Sequence, residues 1–356
     1  MLLASSRPLS EVYDAALLDL DGVVYLGAAP VPAAPTAVGK ARATGMATAF
    51  VTNNAARTPA AVADRLRAVD VPARPEDVVT SAQAGARLLG ECVPEHTPVL
   101  VVGDTGLRLA VRQQGLRPVT SARCDPAAVI QGFSTRTTHD LLTEACLTLN
   151  ADSGAEVHFV VTNGDATVPT GRGVGPGNGS LARVVANATG REPRVAGKPE
   201  RPLHDLGVLR TGAERPLVVG DRLDTDILGA YRRGSDSMLV LSGVTSALDV
   251  VLAAPQLRPS YLAQDLGGIN EPHPEPELDS SGVARCGHWS VWLESTAVGV
   301  RGEGNPVDGL RALCAVVWRA QPGLAPDAPQ IALALAQFGF SGGSVGRRAT
   351  ARASTS

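Results

Sequence analysis

Two aspartates, Asp19 and Asp21, stand one residue apart at the end of an apolar run in LLDLDGVVYLG (17–27). Side chains alternate along a strand, so such a pair shares one face. Gly22 follows and lets the backbone turn sharply. A turn or helix-capping pair is the plain use of these residues, and alone the DxDG pattern leaves that use level with chemistry. Three further stretches tip the balance. VTNN (51–54) ends a second apolar run with the Thr52 hydroxyl, Asn53, Asn54 and backbone N–H groups ahead of a helix, an arrangement suited to an anion. AGKP (196–199) sets Lys198 in a loop, where a lone lysine is ordinarily a solvated charge. GDRLDTD (220–226) ends a third run with Asp221 and adds Asp224 and Asp226, which could equally serve a helix dipole. Each signal is weak by itself. All four sit at strand ends or loops, where open α/β sheets bind their ligands.

Strand–helix alternation supplies the scaffold. Strands are expected over 15–25, 47–52 and 77–80, with helices over 35–45, 60–69 and 81–90. Thr58 and Pro59 mark an N-cap and first turn. A new unit begins near Pro98, with a strand over 98–104, helices over 105–115 and 139–149, and a strand over 158–163. PTGRGVGPGNGS (169–180) reads as a long loop and 180–190 as a helix. The buried-strand pattern returns at 215–221 and 237–243. The expectation is an α/β fold: a doubly wound, Rossmann-like parallel sheet interrupted by an inserted domain. VVGD occurs twice, at 101–104 and 218–221. The first copy has no aspartate five residues on, so Asp104 reads as a turn residue.

NEPHPEPELDSSG (270–282) is acidic and proline-rich and reads as a linker. WSVWLESTAVGV suggests paired strands, 306–318 a helix, and 331–340 is apolar. GGSVGRRATARASTS is expected to fray.

The set DLDGVVY, VTNN, GKP and GDRLDTD, in this order, resembles the haloacid dehalogenase superfamily of phosphatases. It is most similar to the nitrophenylphosphatase (NagD-type) branch, whose cap is inserted between the second and third motifs. The likeness covers roughly 12–265. It implies a phosphatase core at 1–96 and 193–269 with a specificity cap at 97–192; beyond it, composition sets a linker at 270–282, an extension at 283–342 and a disordered tail at 343–356. It implies that Asp19 is a nucleophile and that Asp21 is the general acid and base. Mg²⁺ would be held by the Asp19 carboxylate, the Asp21 carbonyl and Asp221. Thr52, Asn53, Asn54 and Lys198 would bind the phosphoryl group, with Asp226 supporting Lys198 or a metal-bound water. Asp224 has no role in this scheme.

The cap reads TNGDATVP, with Val168 where pyridoxal phosphatases of the branch carry a histidine. That favours a small polyol or acid phosphate, glycerol 3-phosphate first, over pyridoxal phosphate. Phosphoglycolate, sugar phosphates and nucleotides are the alternatives, with a phosphomutase or a non-catalytic binding module as rival classes. The extension resembles the acetyltransferase-like remnant of bacterial glycerol-3-phosphate phosphatases, although Pro306 in RGEGNP falls where an acetyl-CoA loop needs N–H groups. The branch also implies a homodimer through the cap.

Bulk composition agrees. The 356 residues are 44% hydrophobic and 19% charged, with net charge -3, a globular profile without the basic footprint of a nucleic-acid protein. Five scattered cysteines (Cys92, Cys124, Cys146, Cys286, Cys314) form no CxxC pair and read as reduced thiols. With no membrane-length apolar span and an opening too soon polar for a signal, a cytoplasmic protein is expected.

Overall fold

The computed structural model describes residues 2–151, 156–295, 297–320 and 326–340. The expected tail at 343–356 lies outside the described residues.

The chain opens with β1 (Ala15–Leu18), α1 (Ala34–Ala43), β2 (Ala47–Thr52), α2 (Pro59–Arg67), β3 (Val78–Thr80) and α3 (Ser81–Gly90). A second sheet follows: β4 (Pro98–Val102), α4 (Thr105–Gln113), β5 (Arg117–Val119), β6 (Ala128–Gln131), α5 (His139–Leu149), β7 (His158–Val161), the hairpin β8 (Thr167–Thr170) and β9 (Gly173–Pro176), α6 (Asn178–Thr189) and β10 (Arg194–Val195). The first sheet resumes with α7 (Arg201–Thr211), β11 (Pro216–Gly220), α8 (Leu228–Arg233), β12 (Asp236–Val240), α9 (Ala247–Val251) and β13 (Tyr261–Ala263). The last unit holds β14 (Glu277–Leu278), β15 (Ala284–Cys286), β16 (Trp289–Glu294), β17 (Ala297–Arg301), α10 (Pro306–Val317) and α11 (Ala328–Gln337).

The first sheet runs β13-β12-β11-β1-β2-β3 with parallel pairings throughout. Its strands are near-continuous apolar runs because helices cover both faces. One face packs Leu18, Phe50 and Val219 against α1 and α2. The other packs Leu17, Val51 and Val218 with Leu203 and Leu206 of α7, and this cluster continues into Val99, Val101 and Ile130 of the second sheet. That second sheet, β10-β7-β6-β4-β5, is also parallel. The two sheets therefore share a core through α3, where Gly85 approaches Ile130.

Several local expectations shift. The first strand stops at Leu18, not residue 25, because the chain turns at Gly22 (φ 85°) and returns as a small hairpin, Tyr25–Leu26 with Ala29–Pro30. Strand alternation thus does not orient Asp19 and Asp21; the turn after β1 does. The segment expected as a loop at 169–180 forms the β8–β9 hairpin and the start of α6; Gly171 and Arg172 make the turn, and Gly173, at φ 128°, opens β9 opposite Thr170. Within the expected linker, β14 pairs with β15, and Ser5 bridges His273. Proline richness there marks a sheet edge. Thr58 caps α2 as expected, its hydroxyl accepting the Ala61 N–H at 3.2 Å. Asp104 caps α4 and pairs with Arg136, the structural part read for the first VVGD copy. Among the described residues no helix is long and apolar enough to cross a membrane.

Candidate active site

A cleft of about 460 Å³ opens at the carboxyl ends of β1, β2 and β11. The carboxyl edge of a parallel sheet is where loops and helix starts leave polar groups unpaired, so a ligand seats there. Asp19, Asp21, Thr52, Asn53, Asn54, Lys198, Asp221 and Asp226 all line it. Four stretches up to two hundred residues apart therefore meet in one place. Asp224 does not line the cleft; it is exposed and pairs with Arg222 at 2.7 Å.

Lys198 is the centre of the cluster. Its residue is 3% exposed, and its ammonium contacts Asp19 Oδ1 and Asp226 Oδ1, the latter at 2.7 Å. Burial pulls this ammonium down, but Asp19 and Asp226 outweigh it and hold its pKa above the ordinary lysine value. His204 of α7, fully buried nearby, is pushed down to about 3 by burial and then by Lys198, so it adds no competing charge. Asp226 Oδ2 accepts the Arg222 N–H at 3.1 Å, across a π-helical turn at Leu223–Ile227. Such turns depart from the helical repeat and recur at functional sites.

Asp221 Oδ2 accepts the Val244 N–H at 2.7 Å. Its Oδ1 is buried without a hydrogen-bond partner. Gly22 sits against this carboxylate: a Cβ there would lie 2.4 Å from Asp221 Oδ2, and one on Gly243 would lie 2.0 Å from it. Both glycines let backbone close over the acid. Carboxylate oxygens of Asp19, Asp221 and Asp226 lie within 4.8 Å of one another. Lys198 alone does not balance these three carboxylates, two of them buried and Asp19 partly so. Burial raises the Asp19 pKa to about 8, against the pull of Lys198, and burial followed by Asp226 raises that of Asp221 to about 6. An unpartnered buried oxygen, surplus negative charge and hard oxygen donors together fit a divalent cation such as Mg²⁺. The expected ligand pair, Asp19 and Asp221, belongs to this group, with Asp226 beside it.

Asp21 opens onto the cleft, and partial desolvation of its carboxyl by the cleft walls raises its pKa against the pull of Arg65. Thr52 Oγ1 accepts the Asn54 N–H at 3.1 Å, while Asn54 Oδ1 accepts from Ala56 and Arg57 at 3.0 and 3.1 Å. The Asn54 side-chain oxygen thus shapes the turn into α2. Asn53 is a tie. Its Oδ1 accepts the Lys198 N–H at 2.8 Å, and its Nδ2 donates to the Lys198 carbonyl at 3.1 Å and to Asp165 at 3.3 Å. Asn163 Nδ2 donates to the Asn53 carbonyl at 2.8 Å.

The second sheet supplies a roof from Phe133, Asn163, Asp165, Thr167, Val168 and Asn178. Val168, which stands where pyridoxal phosphatases of the branch carry a histidine, lines the cleft. Asp165, Phe133 and Arg222 were not singled out. Asp165 lies in the quoted TNGD, whose spacing after a strand end repeats the logic of DxDG, and this was its only signal. Burial raises the Asp165 pKa although Arg222 opposes it.

Comparisons with known proteins agree with this geometry. Residues 16–117 match a haloacid dehalogenase-like hydrolase model, 195–269 a HAD-hydrolase-like model, and 286–340 a GCN5-related N-acetyltransferase-like domain. The chain is 40% identical over 324 residues to D-glycerol 3-phosphate phosphatase of Mycobacterium tuberculosis, covering 88% of each chain. It is 35% identical over 256 residues to acid sugar phosphatase of Staphylococcus aureus, covering 71% of this chain and 95% of that one. It superimposes on the M. tuberculosis glycerol phosphate phosphatase in complex with magnesium with a TM-score of 0.81 at 38% identity, covering 94% of this chain and 99% of that one. Motifs, sheet order and relatives converge: this chain belongs to the haloacid dehalogenase-like hydrolases, with an inserted α/β domain of the NagD type.

Proposed function

We propose that the chain is a Mg²⁺-dependent phosphomonoesterase that hydrolyses a small polyol phosphate, glycerol 3-phosphate first, through an aspartyl phosphate on Asp19. The observation that carries this is the meeting of Asp19, Lys198, Asp226 and Asp221 in one cleft at the sheet's carboxyl edge.

An Asp19 carboxylate oxygen attacks phosphorus while the bond to the leaving oxygen breaks. Asp21 gives its proton to that oxygen, and the alcohol departs. Water then attacks phosphorus, Asp21 takes its proton, and the Asp19–phosphorus bond breaks to release phosphate. Lys198 faces the charge that builds on the phosphoryl oxygens, and Thr52 offers its hydroxyl. Asp226 keeps Lys198 charged and aimed at Asp19. Asp19, the Asp21 carbonyl and Asp221 would hold Mg²⁺, with Asp226 near them. When bound, the ion neutralises the carboxylates and polarises the phosphoryl group.

The polyol reading is supported by the printed activity of the relative at 40% identity and by Val168 and Pro169 on the cleft wall. The acid sugar phosphatase relative makes sugar phosphates the second reading. The test is phosphate release with Mg²⁺ from glycerol 3-phosphate, phosphoglycolate, pyridoxal phosphate, sugar phosphates and nucleoside monophosphates. The expected result is the highest kcat/KM on glycerol 3-phosphate. A higher value on a sugar phosphate overturns the substrate. No release from any of them, with Mg²⁺ bound, overturns the enzyme.

A further inference from the structure

The last unit matches an acetyltransferase-like domain over 286–340, a class whose reactions use acetyl-CoA. Such a site needs free backbone N–H groups at a helix start to hold a pyrophosphate. Here the segment between β17 and α10 reads Gly302-Glu303-Gly304-Asn305-Pro306. Pro306 has no N–H. Asn305 Oδ1 accepts the Val307 N–H at 2.9 Å, and the Asn305 carbonyl accepts those of Asp308 and Gly309 at 3.1 and 3.4 Å. Glu303 lies in the same segment, and the Asp308 carboxylate in the first turn pairs with Arg311. The first turn of α10 is closed to a pyrophosphate.

The same helix is instead spent on the phosphatase sheet. Arg311, 6% exposed, donates to the Leu262 carbonyl of edge strand β13 at 2.6 Å and to His273 at 3.1 Å. Trp318, just past α10, donates its indole N–H to the Val251 carbonyl of α9 at 3.0 Å, with Arg258 over its ring. Ala247, Val250 and Val251 of α9 are buried in one cluster with Leu310, Leu313, Ile331 and Leu335. A five-residue helix such as α9 does not hold itself; this packing holds it.

What α9 holds is the loop ahead of it. Ser246 caps α9, Thr245 donates its N–H to the Asp221 carbonyl at 3.2 Å, and Val244 donates to the Asp221 carboxylate. Ser242 Oγ donates to the Gly22 carbonyl at 2.6 Å in the turn after β1. The acid sugar phosphatase relative is almost fully covered by 71% of this chain, so the family builds a phosphatase without this unit. In this chain, the apolar face of α9 needs a cover.

We propose that the C-terminal unit is a brace, with no acetyl-CoA site at the start of α10, which positions Asp221 for the metal through α9 and the 242–246 loop. This rests on the phosphatase reading for the metal's role. The test is calorimetric Mg²⁺ titration of the full chain and of Trp318→Ala, with acetyl-CoA titrated separately. The brace predicts Mg²⁺ binding weakened about tenfold in Trp318→Ala, as for other groups that orient a metal ligand, with kcat at saturating Mg²⁺ near wild type. Val129→Ala, in the core of the inserted domain, serves as the destabilised control and keeps wild-type Mg²⁺ binding. If Trp318→Ala does not fold, Trp318→Phe keeps most of the packing, loses the bond to Val251 and still weakens Mg²⁺ binding. Wild-type Mg²⁺ binding in the folded variant overturns the brace. Micromolar acetyl-CoA binding overturns the closed loop. Wild-type enzyme that binds Mg²⁺ yet hydrolyses nothing overturns the phosphatase reading and leaves the brace to the calorimetry.

Discussion

Asp19→Asn abolishes turnover, with a loss of about 10⁵-fold or more in kcat, the scale found when an enzymatic nucleophile is removed. The amide keeps the volume of the carboxylate but cannot attack phosphorus. Folding should survive. Lys198 retains Asp226 as a partner at 2.7 Å, and one of three crowded carboxylates is gone. Steady-state phosphate release and thermal unfolding, measured on one preparation, separate the two effects. The account requires a dead enzyme with a melting temperature near that of wild type. Residual activity within tenfold of wild type would remove Asp19 from the chemistry.

Lys198→Met has the second largest effect and a different signature. It removes the ammonium that contacts both Asp19 and Asp226. Removing a preorganised charge that faces the transition state costs about 10³-fold in kcat. Here stability falls too, because two buried acids are left facing each other without their cation, a cost of about 3–5 kcal/mol. Denaturant unfolding and kinetics should therefore both move. Mg²⁺ should recover part of the stability by taking up the surplus charge, and little of the rate. Lys198→Arg should not rescue, since a site only 3% exposed is fitted to a compact ammonium, not to a planar fork. A Lys198→Met enzyme with wild-type stability and rate would show that the buried triad is ornamental.

The parts of the site legible in the sequence were those tied to strand ends. Asp19, Thr52 and Asp221 each follow an apolar run, and a parallel sheet brings such ends to one edge whatever their separation along the chain. Lys198 was legible only by order among the other stretches; nothing local shows that Asn53 ties its backbone down or that Asp226 pairs with it. Asp165 and Phe133 escaped because they reach the cleft through packing of the second sheet over the first; Arg222 stands inside GDRLDTD, beside Asp221, but nothing local to it marks it as a lining residue. The β8–β9 hairpin was hidden by glycines that read as a loop, yet glycine is what its tight turn needs. The first strand was read too long because Val23, Val24 and Tyr25 continue the apolar pattern. They are buried beneath a turn. In the C-terminal unit, Pro306 was legible as an obstacle to acetyl-CoA binding. That α10 braces α9 was not, because the partners lie across two sheets.

The central claim is a covalent phosphoryl group on Asp19 whose formation and breakdown both pass through Asp21. It is tested most directly by mixing Asp21→Asn with p-nitrophenyl phosphate and Mg²⁺ and then quenching with acid. The p-nitrophenolate leaving group departs without a proton, so the first step survives, whereas water has lost its base in the second. The account predicts a burst of one nitrophenolate per chain, slow turnover afterwards, and a phosphoryl adduct that peptide mapping places on Asp19. An adduct on another residue, or an Asp21→Asn enzyme that turns over at the wild-type rate without a burst, would contradict it.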